Sequence, residues 1–188
     1  GNKRKFMNIL SDIVDNISNE LDKPLVLGDG FSGSGVVSRL FKIKSKSLYT
    51  NDIAGYSETL NNCFLSTPTK KELKNIHDYI DAANKLAHGT EDFPYEKWVQ
   101  LHWAPHHSNP QKQDRVYYTK QNAILIDKYK SIIETIPKKY RHYLLAELLV
   151  EASIHNNTNG QFSAFYKGED GIGKFGGKKE IDLRRILA

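Results

Sequence analysis

The run Gly28-Asp29-Gly30-Phe31-Ser32-Gly33-Ser34-Gly35 is the densest glycine stretch before the C-terminal region, and the residues around it have types suited to holding a nucleoside. Gly33-x-Gly35 permits backbone angles that other residues resist and lets a ligand approach the main chain closely. Asp52, 19 residues after Gly33, ends a short strand-like run and stands where a carboxylate can accept hydrogen bonds from the two hydroxyls of a ribose. The six-position dinucleotide pattern lacks its third glycine, because Ser38 occupies that place. The constellation is therefore either a nucleoside-type cofactor site or a sharp strand–helix turn followed by a solvent-exposed aspartate capping the next helix. If a cofactor binds, Asp29 bears on its charge, since a carboxylate there repels a pyrophosphate and attracts a sulfonium or an ammonium. The helix N-terminus after Gly35 can receive the carboxylate of an amino-acid moiety. Both favour S-adenosylmethionine over NAD or ATP, and no Gly-Lys-Ser/Thr follows the turn to make a P-loop.

Positioning such groups requires a strand before the turn and a helix after it. Phe6, Ile9, Leu10, Ile13, Val14 and Ile17 recur at helical spacing over residues 4–20, and Pro24 ends that segment. Leu25-Val26-Leu27 reads as a buried strand, Val36 to Phe41 as a helix, Ser47-Leu48-Tyr49-Thr50 as a second strand, and Ala54 to Leu65 as a helix. Strand, glycine turn, helix, strand and helix make the unit of a parallel α/β sheet. Residues 69–87 predict a polar helix with Leu73, Ile76, Ile80 and Leu86 on one face. Residues 88–118 hold four of the seven histidines, three of the six prolines and both tryptophans without a sustained period, and read as a looped insertion. Helices follow over 122–136 and 140–155, the latter with Leu144, Leu145, Leu148, Leu149 and Ala152 as an apolar stripe. Residues 156–188 have no helical period and read as an ordered loop or hairpin.

Composition bounds the rest. The 188 residues suffice for one real core with at most a small satellite. Cys63, the single cysteine, permits no internal disulfide, and the apolar runs are too short for a membrane span. Asp12 and Asp15 break the N-terminal apolar stretch, which is thus no signal peptide, and a soluble cytoplasmic protein is expected. The net charge of +5 is weak evidence for a polyanionic partner. Its cations cluster at Lys3-Arg4-Lys5, at Lys138-Lys139 with Arg141, and at Lys174, Lys178, Lys179, Arg184 and Arg185. The last group, near Lys167, lies with Phe162, Phe165, Tyr166 and Phe175 among five glycines, a composition suited either to a phosphate backbone or to a solvated tail. His102, His106 and His107 invite a zinc site, but no second cysteine or carboxylate cluster accompanies them, so surface histidines are the simpler expectation and no metal is expected. Glu147 and Glu151 are expected on a solvated helix flank.

Several motifs in order resemble a known family. Gly1-Asn2-Lys3-Arg4-Lys5, the turn Asp29 to Gly35, and Asn51-Asp52-Ile53 with Tyr56 resemble adenine-specific DNA methyltransferases of the D12 or Dam-like class. Arg115 to Thr119, Asn122-Ala123, Ile126-Asp127, Leu144 to Leu149, and Asn157-Thr158-Asn159-Gly160-Gln161-Phe162 with Phe165 and Lys167 are similar to its restriction–modification members. The resemblance implies a partial Rossmann-like, S-adenosylmethionine-dependent α/β core with a helical and loop insertion and an irregular basic C-terminal region. It divides the chain into a cofactor-binding part (1–66), the insertion (67–118), a helical part packing on the core (119–155) and the start of a target-recognition region (156–188). It implies a cofactor pocket of Lys3, Phe31, Gly33, Gly35 and Asp52, which Asp29 joins by the charge argument above, and a C-terminal region that helps read the target, where Lys167, Lys174, Lys178, Lys179, Arg184 and Arg185 are expected to contact double-stranded DNA. The chain departs from the family at Gly30, where proline is frequent, and in lacking the catalytic Asp/Asn-Pro-Pro-Tyr/Phe segment, since no two of its prolines are adjacent. That segment holds the N6 of a flipped adenine, so no catalytic residue is assigned, and methyl transfer is expected to need a second polypeptide or a further C-terminal segment. The alternative is a non-catalytic DNA-binding or specificity module on the same scaffold. A dehydrogenase is disfavoured by Ser38 and Asp29.

Overall fold

Pro24 and the left-handed Asp22 stop the first helix and release the chain into a strand, which sets the layout of the N-terminal unit, Gly1–Pro68. The computed structural model describes residues 3–160, 162–175 and 179–186; the side chain of Lys3 and the whole of Gln161, Gly176, Gly177 and Lys178 lie outside that description. A 3-10 turn at Lys3–Phe6 leads into α1 (Met7–Leu21), so the helix expected from residue 4 begins one turn later. Strand β1 (Val26–Asp29), helix α2 (Val36–Lys44) and strand β2 (Ser47–Thr50) follow, then α3 (Gly55–Phe64). The strands pair in parallel, Val26 opposite Ser47 and Asp29 opposite Thr50, with α2 as their crossover. Val14, Leu25, Val37, Leu60 and Cys63 are buried in this unit, a small core for 68 residues.

The C-terminal unit, Thr69–Ala188, is helical. Helix α4 (Lys70–His88) opens on a capping box in which Thr69 and Glu72 satisfy each other's backbone N–H groups. A short α5 (Trp98–His102) interrupts the stretch expected to be loop, and α6 (Lys120–Thr135), capped by Thr119, is followed by α7 (Lys138–Ile154). Ile76 and Ile80 of α4, Leu125 of α6 and Leu144 of α7 have no exposed surface. Each contributes about 1.5–3 kcal/mol by that burial. The stripe of α7 is thus met by this chain's own helices: Leu144 and Leu148 are buried, while Leu145, Leu149 and Ala152 are half-buried. The expectation of a solvated flank for Glu147 and Glu151 fails. Both are buried, and Glu151, 1% exposed, faces His155 Nε2 at 3.1 Å and Arg184 Nε at 2.7 Å. Residues 179–186 run as an extended strap that buries Ile181, Leu183 and Ile186. Side-chain amides read its backbone: Asn122 bonds Lys179 O and Ile181 N, and Asn84 bonds both N and O of Leu183. None of the helices among the described residues is long and apolar enough to cross a membrane.

The looped stretch is organised by two buried carboxylates. Asp127 accepts the N–H groups of Val99 and Gln100, which open α5. Asp114 accepts from the N–H groups of His106 and Gln111 and faces the His107 ring. Burial pushes the Asp114 carboxyl up, but these donors outweigh it and hold its pKa at about 2, below the ordinary 3.8. A carboxylate depressed in the folded state stabilises the fold above its unfolded pKa and loses that contribution as pH falls. Asp114→Asn is therefore expected to lower Tm by several degrees at neutral pH. The gap from wild type should close between about pH 4 and pH 2, and a gap independent of pH in thermal melts would contradict this.

Candidate functional site

The C-terminal ends of β1 and β2 bring the glycine run and Asn51-Asp52 together. Asn51 N–H donates to Asp29 O (2.9 Å), Ser32 N–H to Asn51 O (3.0 Å), and Asn51 Nδ2 to Gly30 O (3.3 Å). Asp52 clamps the turn directly, its Oδ2 accepting from Gly33 N–H at 2.8 Å and its Oδ1 from Ala54 N–H at 2.9 Å. These donors, Ala54 first and Gly33 next, hold the Asp52 carboxyl below its ordinary value, so it is ionised at neutral pH. Gly33 (φ 52°) and Gly35 (φ 73°) take left-handed angles that L side chains rarely adopt. At Gly35 a Cβ would also lie 2.7 Å from Asn61 Oδ1, so glycine is required there on both counts. Helix α2 starts at the next residue with no side-chain cap, presenting its N-terminal N–H groups at the turn.

Of the residues expected at a cofactor site, Asp29, Gly33, Gly35 and Asp52 are thus brought to one turn, with Phe31 on it and 83% exposed. The side chain of Lys3 lies outside the described residues. Sequence reasoning missed three supports. Asn51 ties both sides of the turn, Asn61 Nδ2 donates to Ser32 Oγ at 2.8 Å, and Ser38 Oγ donates to Asp29 Oδ2 at 2.6 Å. Two of them carried a signal, Ser38 as the residue in the third-glycine position and Asn51 as part of the Asn51-Asp52-Ile53 motif. Ile53, next to Asp52, is fully exposed despite its apolar side chain.

In the C-terminal unit, Lys167 pairs with Gly173 across a hairpin turn, and its Nζ lies 5.1 Å over the Phe165 ring. Lys174, beside that bridge, is exposed and donates its N–H to Tyr166 O. The hairpin rests on aromatic packing of Tyr117 against Phe165 (5.0 Å) and Phe162 (6.0 Å), and Trp103 against Tyr117 (4.7 Å). Asn157 ties these segments, donating to Val116 O and Tyr166 O. Lys179 is exposed at the start of the strap, Arg184 lies against Glu151, Arg185 pairs with Asp81, and Lys178 is outside the described residues. His106 and His107 are exposed, and the described residues contain no group of three potential metal ligands.

A small parallel sheet with a glycine turn after its first strand and an acid after its second defines a mixed α/β unit of the kind that takes ligands beyond the carboxyl ends of its strands. The chain belongs to the family of D12 class N6 adenine-specific DNA methyltransferases, which matches residues 1–175. It is 27% identical over 173 residues to the Type II methyltransferase M.NlaIII of Neisseria lactamica, covering 89% of this chain and 48% of that protein. It is 28% identical over 160 residues to the Type II methyltransferase M.CviAII of Paramecium bursaria Chlorella virus 1, covering 82% and 45%. To the modification methylase LlaI of Lactococcus lactis subsp. lactis it is 26% identical over 175 residues, covering 89% and 26%. The chain thus spans about half the length of the first two relatives and a quarter of the third. No solved structure matches it significantly.

Proposed function

We propose that this chain supplies the S-adenosylmethionine pocket and part of the DNA contact surface of a site-specific adenine-N6 methyltransferase of a restriction–modification system, acting in the cytoplasm. The observation that carries the proposal is the Asp52 carboxylate fixed against the Gly33 N–H at the end of two parallel strands. Asp52 has acceptor capacity left on both oxygens for ribose hydroxyls. Gly33 and Gly35 leave the main chain uncovered at those two positions, and the N-terminus of α2 offers N–H groups to the carboxylate of the cofactor's amino-acid end. Phe31 and Ile53 offer apolar surface to its base, and Lys3 joins the pocket by family resemblance. When bound, the cofactor supplies a methyl group activated by its sulfonium. The acceptor is the N6 of an adenine turned out of double-stranded DNA, held by a segment that this sequence does not contain. In this proposal β1 and β2 are two strands of a larger Rossmann-like sheet.

Isothermal titration of the folded chain with S-adenosylmethionine tests the cofactor assignment, and absence of heat at high micromolar ligand would remove it. For DNA, Lys167 and Lys174 of the hairpin are the leading contacts, Lys179, exposed at the start of the strap, is a further one, and Lys178 is included by family resemblance alone. Arg184 and Arg185, which face carboxylates, contribute less. Double replacement Lys167→Ala/Lys174→Ala is expected to reduce the slope of log K against log salt by about 2 for duplex DNA, one unit for each phosphate that is no longer neutralised. An unchanged slope would place the DNA surface elsewhere. A non-catalytic DNA-binding module predicts salt-dependent DNA binding without any heat from the cofactor.

A further inference from the structure

Ser38 is a buried helical residue with no exposed surface, and its Oγ lies 2.6 Å from Asp29 Oδ2, nine residues back along the chain. Asp29 is itself buried at the end of β1, 8% exposed, and among the described residues it has no ion-pair partner. Among the described residues Ser38 is its one side-chain donor, and that bond falls on Oδ2. A largely buried carboxylate with one oxygen fixed by a hydroxyl, and no cation facing it among the described residues, is suited to receive a cation from a ligand. Position 38 is also where a third glycine would let the helix approach the strand closely. Here that space carries a hydroxyl, and the hydroxyl is spent on the carboxylate.

We infer that Ser38 is a positioning residue, holding the Asp29 carboxylate for the cationic amino-acid end of the cofactor; this rests on the cofactor assignment above. The glycine turn itself is fixed by other groups, Asp52 on Gly33 and Asn61 on Ser32, so Ser38 is free to serve Asp29 alone. Loss of its hydroxyl therefore selects against ligands that carry a cation and spares ligands that carry only the adenosine.

The test is calorimetric titration of wild type, Ser38→Ala, Asp29→Asn and the double variant with two ligands. One is S-adenosylmethionine. The other is methylthioadenosine, which keeps the nucleoside and has neither ammonium nor sulfonium. Ser38→Ala is expected to weaken S-adenosylmethionine by about tenfold, the scale of one hydrogen bond to a charged group, and to leave methylthioadenosine unchanged. Asp29→Asn should weaken S-adenosylmethionine at least as much, and adding Ser38→Ala to it should cost little more. If Ser38→Ala does not fold, Ser38→Cys, of similar shape and a poor donor, carries the same expectation. Equal weakening of both ligands, or unchanged binding of S-adenosylmethionine, would overturn the role of Ser38 while leaving the cofactor assignment standing. Failure of wild type to bind either ligand would overturn both.

Discussion

Asp52→Ala is expected to weaken S-adenosylmethionine binding by about a hundredfold or more in calorimetric titration, with the chain still folded. Two losses combine at one carboxylate. The ribose hydroxyls lose a charged acceptor, and the Gly33 N–H loses the partner that fixes the turn. The Ala54 N–H, which heads α3, loses its partner as well. Asp52→Asn should fall between wild type and alanine, because an amide keeps one acceptor oxygen while its NH2 group opposes one of the two N–H donors. Because those donors lower the Asp52 pKa, wild-type binding should be flat across neutral pH and fall only below the ordinary carboxylate range. Near-wild-type affinity in Asp52→Ala would show that this acid does not hold the cofactor.

The β–α–β unit was legible because each of its local signals is strong and independent. Pro24 stops a helix, Gly33-x-Gly35 demands a turn, and Ser47 to Thr50 is a short run bounded by Lys44–Lys46 and Asn51-Asp52. The supports of the site were less legible, since Asn51, Asn61 and Ser38 act through contacts between segments up to 29 residues apart. A polar residue's partner is set by tertiary placement, which no local period encodes. The same reason explains Glu151. Its spacing on α7 places it beside the apolar stripe, and only the return of the strap, which carries Arg184, turns that flank into an interior. The region 88–118 read as loop because its order comes from Asp114 and Asp127, single buried carboxylates that collect backbone N–H groups and leave no repeating pattern. Charge was legible as a cluster and not as free charge: Arg184 and Arg185 belong to the basic segment, yet both are met by acids of α4 and α7.

Methylation of duplex DNA is expected to be undetectable from this chain alone and to appear when a polypeptide bearing an Asp/Asn-Pro-Pro-Tyr/Phe segment is added. Chemistry at N6 needs an acceptor side chain and a backbone carbonyl against the exocyclic amine, with an aromatic on the base, and this sequence has no Asp/Asn-Pro-Pro-Tyr/Phe segment to provide them. The N-terminal unit has a surface suited to such a partner. Ile9, Ile13, Ile17 and Leu21 form an exposed stripe at successive turns of α1, and Val26 and Tyr49 are exposed on the strands. A two-stranded sheet is marginal in water, and further strands paired at its edges would stabilise it. Polar replacement on the stripe, such as Ile13→Asp with Ile17→Asp, should therefore abolish complementation while leaving the C-terminal unit folded. Transfer of labelled methyl from S-adenosylmethionine to adenine, assayed with each polypeptide alone and with both, measures the effect as all or none. Activity from this chain alone would show that the missing segment is dispensable. Activity of the mixture with the stripe variant at the wild-type rate would show that the partner docks elsewhere.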